Sequence, residues 1–417
     1  MKPTAKIERF ETLDSWRGIC AVVVVIYHFS FLVNAEMLHN RLLSNAYLFV
    51  DFFFVLSGFV VCHAYRDKLA SGRQFGGFLL RRIGRLWPLH LAILFGLMVA
   101  MTVINAGGFY PDSFTIEADR GNYSLHALLL NALLLNSMGF YGMSWNGPAW
   151  SIGAEFYTYV LFAIVTLSVG RRLLPAALII SLTAMVGILL FAPSFMNSTA
   201  DFGLVRCIAG FFMGVVAYHA HDWLRDKSLP LATVSEIVVI LLSGLFIASA
   251  GQGPDEVGAT SVLAPVAFSA AILVFAREKG LLSKALQIRP LRALGVWSYS
   301  IYLIHMPLLV LLGYGIWLYG NVAGVPVRFD VMLDGHLKRL YDLGNPVATY
   351  AMLAGFIGVV IVLAAGTYAL IEVSWRDWFG RVARNYETCG RTFELLRSRT
   401  VMAPSIPLRI GHDRAGR

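Results

Sequence analysis

Charge is what this sequence has least of. Only 14% of its 417 residues are Asp, Glu, Lys or Arg, against roughly 25% in ordinary soluble domains. Hydrophobic residues make up 57% and the mean hydropathy is +0.66. That balance predicts a polytopic membrane protein, not a soluble domain.

Cysteine is almost as scarce. Cys20, Cys62 and Cys207 lie in apolar runs and Cys389 in a basic C-terminal segment, so no disulfide framework is expected. No His and Cys cluster occurs at ligand spacing, which argues against a metal. Walker and dinucleotide fingerprints are missing as well, which argues against direct use of ATP or NAD. The N-terminal "MKPTAKIERFETLDSW" is polar for too long to be a signal-peptide n-region, and no small-residue cleavage site follows. The first apolar run is therefore expected to stay as a helix.

What the chain does contain is a series of runs of about 20 apolar residues. Ten spans are expected, at 18–36, 44–65, 83–105, 148–169, 173–192, 203–220, 232–250, 259–276, 295–319 and 347–371. A shorter piece at 125–139, "LHALLLNALLLNSMG", is interrupted by Asn and is expected to lie in or re-enter the membrane. The distribution of Lys and Arg tests this topology. Of the 34, all but Arg41, Arg120, Arg206, Arg328, Lys338 and Arg339 fall in segments assigned to one side. By the positive-inside rule both termini are then cytoplasmic. The net charge of +9 is thus mostly topological, and no nucleic-acid partner is expected. The expected organisation is an all-α transmembrane bundle over 1–376, followed by a basic cytoplasmic tail, 377–417, that is short and amphipathic or disordered.

The first run, "RGICAVVVVIYH", places Arg17 and His28 at its ends. Eleven residues on a helix bring them within about 20° of one face and about 16 Å apart. Arg17 then sits at the cytoplasmic surface and His28 near the midplane, where ionisable groups normally line a cavity. The plainer explanations are a topological flank for Arg17 and an interhelical hydrogen bond for His28. Asp51, Glu155 and His305 fall at a similar depth within their own runs. Together these groups suggest a polar chamber, for transport or for catalysis. Arg82 and Arg85, in "RRIGRLWPLH", are three apart on one helical face at the same cytoplasmic mouth. Guanidinium groups so placed suit a polyphosphate.

These stretches resemble the acyltransferase family 3 membrane proteins. The matching segments are "LDSWRGICAVVVVIYH" with its Arg-x10-His, "VDFFFVLSGFVV", "RRIGRLWPLH", "GPAWSIGAEFYTYVLF" and "LGVWSYSIYLIHMPLL". The ending "LIEVSWRDW" departs from the family pattern, with Ser374 in place of a proline. The resemblance implies an O-acyltransferase of a bacterial inner membrane. It would move an acyl group, by default acetyl, from cytoplasmic acyl-CoA to a hydroxyl of an exopolysaccharide, O-antigen or other glycan or glycolipid.

On that resemblance Arg17, Arg82 and Arg85 hold the CoA phosphates and His28 is the general base, with an acyl-histidine as a variant. Glu155 or Asp51 would orient the imidazole, and His305 would be a further polar member of the chamber. Ser57, before Gly58, is read as a packing position, and His63 and His90 as structural. Trp145 and Trp150 are interfacial belt residues or line the acceptor entrance. Arg206 touches an anionic acceptor or pairs with Asp201. The outer loops 106–124 and 320–346, with Asp112, Glu117, Asp119, Asp330, Asp334 and Asp342, are the natural acceptor-reading surfaces. Two rival readings are a transporter or flippase using the same chamber, and a non-catalytic sensor in which His28→Ala is silent. Partners beyond the glycan and the membrane lipid, and the oligomeric state, are not legible.

Overall fold

Inside lipid, a backbone satisfies its own hydrogen bonds only as helices or closed barrels, and the apolar runs duly form helices. The computed structural model describes residues 9–106, 124–139, 144–227, 231–333 and 335–401. The helices are α1 (Glu11–Phe29), α2 (Arg41–Ser44), α3 (Phe49–Tyr65), α4 (Gly72–Ala106) and α5 (Leu125–Ala132). They continue with α6 (Ala149–Val169), α7 (Leu173–Phe191), α8 (Gly203–Leu224), α9 (Ala232–Ser249) and α10 (Ala264–Phe275). The last four are α11 (Leu281–Leu286), α12 (Arg289–Ala323), α13 (Pro346–Thr367) and α14 (Val373–Val401).

Each of the ten expected stretches contains one of these helices. Seven stretches are long and apolar enough to cross a membrane by length and composition: Ala46–Tyr65, Gly72–Ile104, Ala149–Phe191, Gly203–Leu224, Ala232–Ser249, Arg289–Ala323 and Pro346–Thr388. The third holds both α6 and α7, joined through a single 3-10 turn, Gly170–Arg172. The polar first turns of α1 dilute its hydropathy, and α10 has only 12 residues. Large apolar side chains stay exposed on the outer helices, among them Leu190 and Phe191 on α7, Leu245 on α9 and Val362 on α13. Such surfaces suit lipid, not water. The chain is a multi-pass helical membrane protein.

Three local departures from the expected pattern matter for the site. α1 begins and ends earlier than its apolar run. Its polar start is held by Arg292 to Glu11 at 2.7 Å and Arg9 to Asp14 at 2.7 Å, and the helix stops after Phe29. His28 therefore lies in its last turn. The second departure is in the loop 320–346, which holds an antiparallel hairpin. The ribbons among the described residues are a minor pair, β1 (Gly251–Gly253) with β2 (Glu256–Val257), and this hairpin, β3 (Arg328–Leu333) with β4 (His336–Tyr341). Gly335 turns the hairpin at a φ of +78°. Its far end is stitched to the chain just beyond α1, where Tyr341 N donates to Leu32 O at 2.9 Å and Asn34 N to Tyr341 O at 2.8 Å. Thirdly, the segment from 377 onward, expected to be a short amphipathic or disordered tail, continues as the long helix α14, in line with the amphipathic alternative. Phe379, Ala383 and Glu387 recur on it at helical spacing, and Arg81 of α4 grips the Glu387 carboxylate at 2.8 and 2.7 Å.

α1 and α12 cross at two glycines. A Cβ on Gly18 would lie 2.5 Å from Gly295 N, and one on Gly295 only 2.1 Å from Asp14 O. Small residues permit such backbone-to-backbone approach in membranes. The crossing sets the Arg17 end of α1 against the start of α12.

Candidate active site

Arg17 leaves α1 directly above that crossing. Its Nε donates to Ser298 Oγ at 2.8 Å and its Nη2 to Gly295 O at 2.7 Å, with Asp14 at 3.4 Å. The guanidinium is thus locked to α12. Arg82 of α4 is boxed by the rings of Tyr65, Phe78 and Tyr159, with its guanidinium carbon 5.2, 5.5 and 5.3 Å from their centroids. Its Nη2 donates to Tyr65 OH at 3.2 Å, while Nε is buried without a partner. Arg85, one helical turn on, makes no hydrogen bond or ion pair to the described residues. Of the three arginines it is the one with its full donor capacity unspent.

All three arginines line one cavity with Ser57, Glu155, Tyr159, Ser298, Tyr299 and Tyr302. Arg17 and Arg85 also line an adjoining polar mouth, which adds Arg9, Arg376 and Glu372. The mouth therefore carries four arginines against one carboxylate among its described side chains. Glu372 belongs to a π-helical turn, Tyr368–Glu372, and accepts a hydrogen bond from Ser300 Oγ. Such turns inside α-helices are frequent at functional sites.

Glu155 and Tyr159 share a face of α6 at i, i+4 spacing. Ser57 Oγ and Tyr159 OH each donate to Glu155 Oε1 at 2.5 Å. Ser57 is thus a hydrogen-bonding member of the cavity. Packing falls to its neighbour Gly58, whose Cβ would meet the backbone of Phe211.

Beyond Tyr302 lies the histidine pair. The Tyr302 ring is 5.8 Å from that of His305, and His305 Nε2 is 3.2 Å from His28 Nδ1. His28 Nδ1 also lies 2.9 Å from Val24 O, and His305 Nδ1 3.3 Å from Ile301 O. A carbonyl oxygen only accepts. The network therefore assigns the protons to Nδ1 of both rings, with His305 Nε2 accepting from His28. That leaves His28 Nε2 unprotonated, and it makes no hydrogen bond to the described residues. His28 in turn lines a second cavity, with Met101, Tyr314, Tyr341, Arg328 and Arg339.

The other expected site residues lie elsewhere. Asp51 does not approach His28; it takes a two-pronged grip from Arg206, at 2.9 and 2.7 Å, with both side chains fully buried. Arg206 also donates to Tyr47 O and Ser198 O, which makes the pair part of the bundle's framework. Trp150 covers that pair, its ring centroid 5.2 Å from the Arg206 guanidinium carbon. Trp145 ties the α5 region down by donating to Ser124 O at 3.2 Å. Neither tryptophan lines either cavity. His63 meets Tyr218 OH, and His90 meets Asn131 O.

Of the acidic loop residues, Asp112, Glu117, Asp119 and Asp334 lie outside the described residues. Asp330 pairs with Arg339, whose hydrogen bond holds its carboxyl below the usual range, and Asp342 accepts from Asn34. No group of three or more His, Cys, Asp or Glu able to hold a metal occurs among the described residues.

Sequence reasoning gave no site role to Arg9, Arg376, Glu372, Tyr302 or Arg328, although Glu372 stands in the ending "LIEVSWRDW" compared with the family. The first two look like topological flanks in one dimension. The alternation of "RFDVML" and "HLKRLY" around a glycine was a hairpin signal that would have placed Arg328 and Arg339 on one face.

The acyltransferase 3 family, described as an acyltransferase domain, matches residues 10–368. Over 319 residues, 72% of this chain and 50% of the relative, the sequence is 25% identical to the O-acetyltransferase OatA of Staphylococcus aureus. An 88-residue stretch, 21% of this chain and 43% of the relative, is 44% identical to protein 2 in the picA locus of Rhizobium radiobacter. The chain spans about half the length, or less, of these curated relatives. No solved structure matches it significantly. With the family match running through α1, α4, α6 and α12, which carry the arginines, Glu155 and both histidines, the chain belongs to the acyltransferase 3 family.

Proposed function

We propose that the chain is a membrane O-acyltransferase that passes an acyl group, by default acetyl, from cytoplasmic acyl-CoA to a hydroxyl of a glycan outside a bacterial inner membrane. The observation that carries this reading is the position of His28. Its side chain lines one cavity, while its Nδ1 is backed by His305, whose ring lies 5.8 Å from that of Tyr302, a lining residue of the other.

In this reading the arginine mouth is cytoplasmic and holds the nucleotide phosphates of CoA, with Arg85 as the principal ligand. Arg17 and Arg82 are pre-positioned and add field. The thin arm of CoA runs through the first cavity towards Tyr302, past Glu155. The acceptor hydroxyl enters through the second cavity. His28 Nε2 removes its proton as the oxygen attacks the thioester carbonyl carbon. The C–S bond then breaks, the ester leaves with the acceptor, and the proton passes to the CoA sulfur. As the imidazolium forms, its Nδ1–H strengthens its hydrogen bond to His305 Nε2. His305 thus takes the orienting part that a carboxylate plays in a hydrolytic triad. The framework pair Asp51–Arg206 takes no part in the chemistry.

The test is CoA release from labelled acetyl-CoA by protein reconstituted in lipid, with a glycan present. Wild type should turn over, and His28→Ala should bind donor without turnover. If wild type neither binds nor consumes short acyl-CoAs, the reading fails and the same chamber should be assayed as a transport path.

A further inference from the structure

The second cavity has a wall that acyl transfer to a neutral sugar does not require. Residues alternate across a β-ribbon, and the register pairs Arg328 with Tyr341 and Asp330 with Arg339. Arg328, Tyr341 and Arg339 therefore share one face, and all three line the cavity that contains His28. The ribbon is fixed there by its bonds to Leu32 and Asn34, only a few residues beyond His28.

The two arginines differ in what they have left to offer. Arg339 is engaged by Asp330 at 2.7 Å. Arg328 makes no ion pair or hydrogen bond to a carboxylate among the described residues, although Asp330 is near enough to feel its charge, and its Nε is buried with no hydrogen-bond partner. Its guanidinium carbon stands 5.7 Å from the Tyr341 ring centroid, so one face of the fork is braced. A buried guanidinium N–H without a partner is costly, and the side chains lining this cavity include cations but no anion among the described residues. A free fork beside two tyrosines is suited to an oxyanion carried on a sugar ring.

We infer that the acceptor is an anionic glycan, bound through a carboxylate or phosphate on the sugar by Arg328, while the hydroxyl to be acylated faces His28. This rests on the acyl-transfer reading and narrows its acceptor class. On the same ground, Arg328 is a specificity-determining residue for the acceptor, distinct from the arginines at the donor mouth.

The experiment uses the full chain in lipid vesicles with labelled acetyl-CoA and three matched probes. These are a glucuronic-acid-containing oligosaccharide, its carboxyl-reduced neutral counterpart, and the same backbone carrying a sugar phosphate. Wild type should show a KM about tenfold or more lower for a charged probe than for the neutral one. The two charged probes tell carboxylate from phosphate. Arg328→Gln should erase that preference, and Arg328→Lys should keep part of it. Retained acetyl-CoA binding by Arg328→Gln shows that the variant is folded. Lys338, opposite Val331 in the register and paired to Asp255 at 2.7 Å, carries the same charge on the other face of the ribbon. Lys338→Gln should keep the preference, which separates local recognition from the net charge of the hairpin. Equal use of neutral and charged probes by wild type, or an unchanged preference in Arg328→Gln, overturns the inference while leaving acyl transfer intact. Absence of any CoA release with all three probes, and without donor binding, defeats the underlying reading instead.

Discussion

His305 Nε2 stands 3.2 Å from His28 Nδ1, and each ring anchors its own Nδ1 on a carbonyl four residues back in its helix. The two carbonyls thus fix the tautomers of the imidazole pair from α1 and α12 without a carboxylate. This arrangement separates the two residues experimentally. His28→Gln removes the base and should lower transfer by about 10²- to 10⁴-fold. His305→Ala removes only the hydrogen-bond acceptor and should cost about tenfold in kcat, with acetyl-CoA binding retained. Wild-type turnover in His28→Gln would rule out its role as base.

Arg85→Gln should weaken acetyl-CoA binding by about tenfold or more, because it removes an unspent charged fork. The loss should vanish when the donor is an acetyl-pantetheine lacking the nucleotide phosphates. Binding titrations with both donors read this directly. An equal loss with both would move Arg85 from the phosphate end of the donor to somewhere along its arm.

Asp51 and Arg206 make a stability prediction. Breaking a buried pair by removing one partner costs about 3–5 kcal/mol, whereas replacing both by apolar residues is often far milder. Asp51→Leu alone should sharply reduce the yield and melting temperature of the protein in nanodiscs. The double variant Asp51→Leu with Arg206→Met should recover much of both. If the single variant melts like wild type but loses turnover, Asp51 belongs to the chemistry after all.

Gly18→Val tests the crossing of α1 and α12. The added side chain has nowhere to go, and overpacking of this kind costs about 1–3 kcal/mol. Because Arg17 is bonded to Ser298 and Gly295 at the same level, the variant should also raise the KM for acetyl-CoA. A fall in melting temperature with an unchanged donor KM would uncouple Arg17 from donor binding.

Much of this was legible from one dimension. Long apolar runs have few alternatives in lipid, so all ten stretches contain helices. Helical spacing puts Arg82 and Arg85 on one face of α4, and Arg17 of α1 and Glu155 of α6 line the same cavity. Partner choice was not legible. Depth within a span brought Asp51 to the level of His28, but rotation about the α3 axis turns it to Arg206 of α8. Trp150 looked like a belt residue because its position is close to a helix start, while its ring is drawn inward over Arg206. The hairpin was hidden for a different reason: next to long hydrophobic spans, six residues of alternating polarity read as loop.

The contact between Gly18 and Gly295 has a last consequence, for which donors the chain can accept. Backbones that touch cannot slide without breaking the bonds of Arg17 to α12. Arg17 and His28, eleven residues apart on one helix, therefore form a caliper of about 16 Å whose jaws do not open. A donor with a shorter arm would leave either its charged head or its thioester out of reach. Selection among donors would then fall on the length of the carrier before the chemistry of the acyl group.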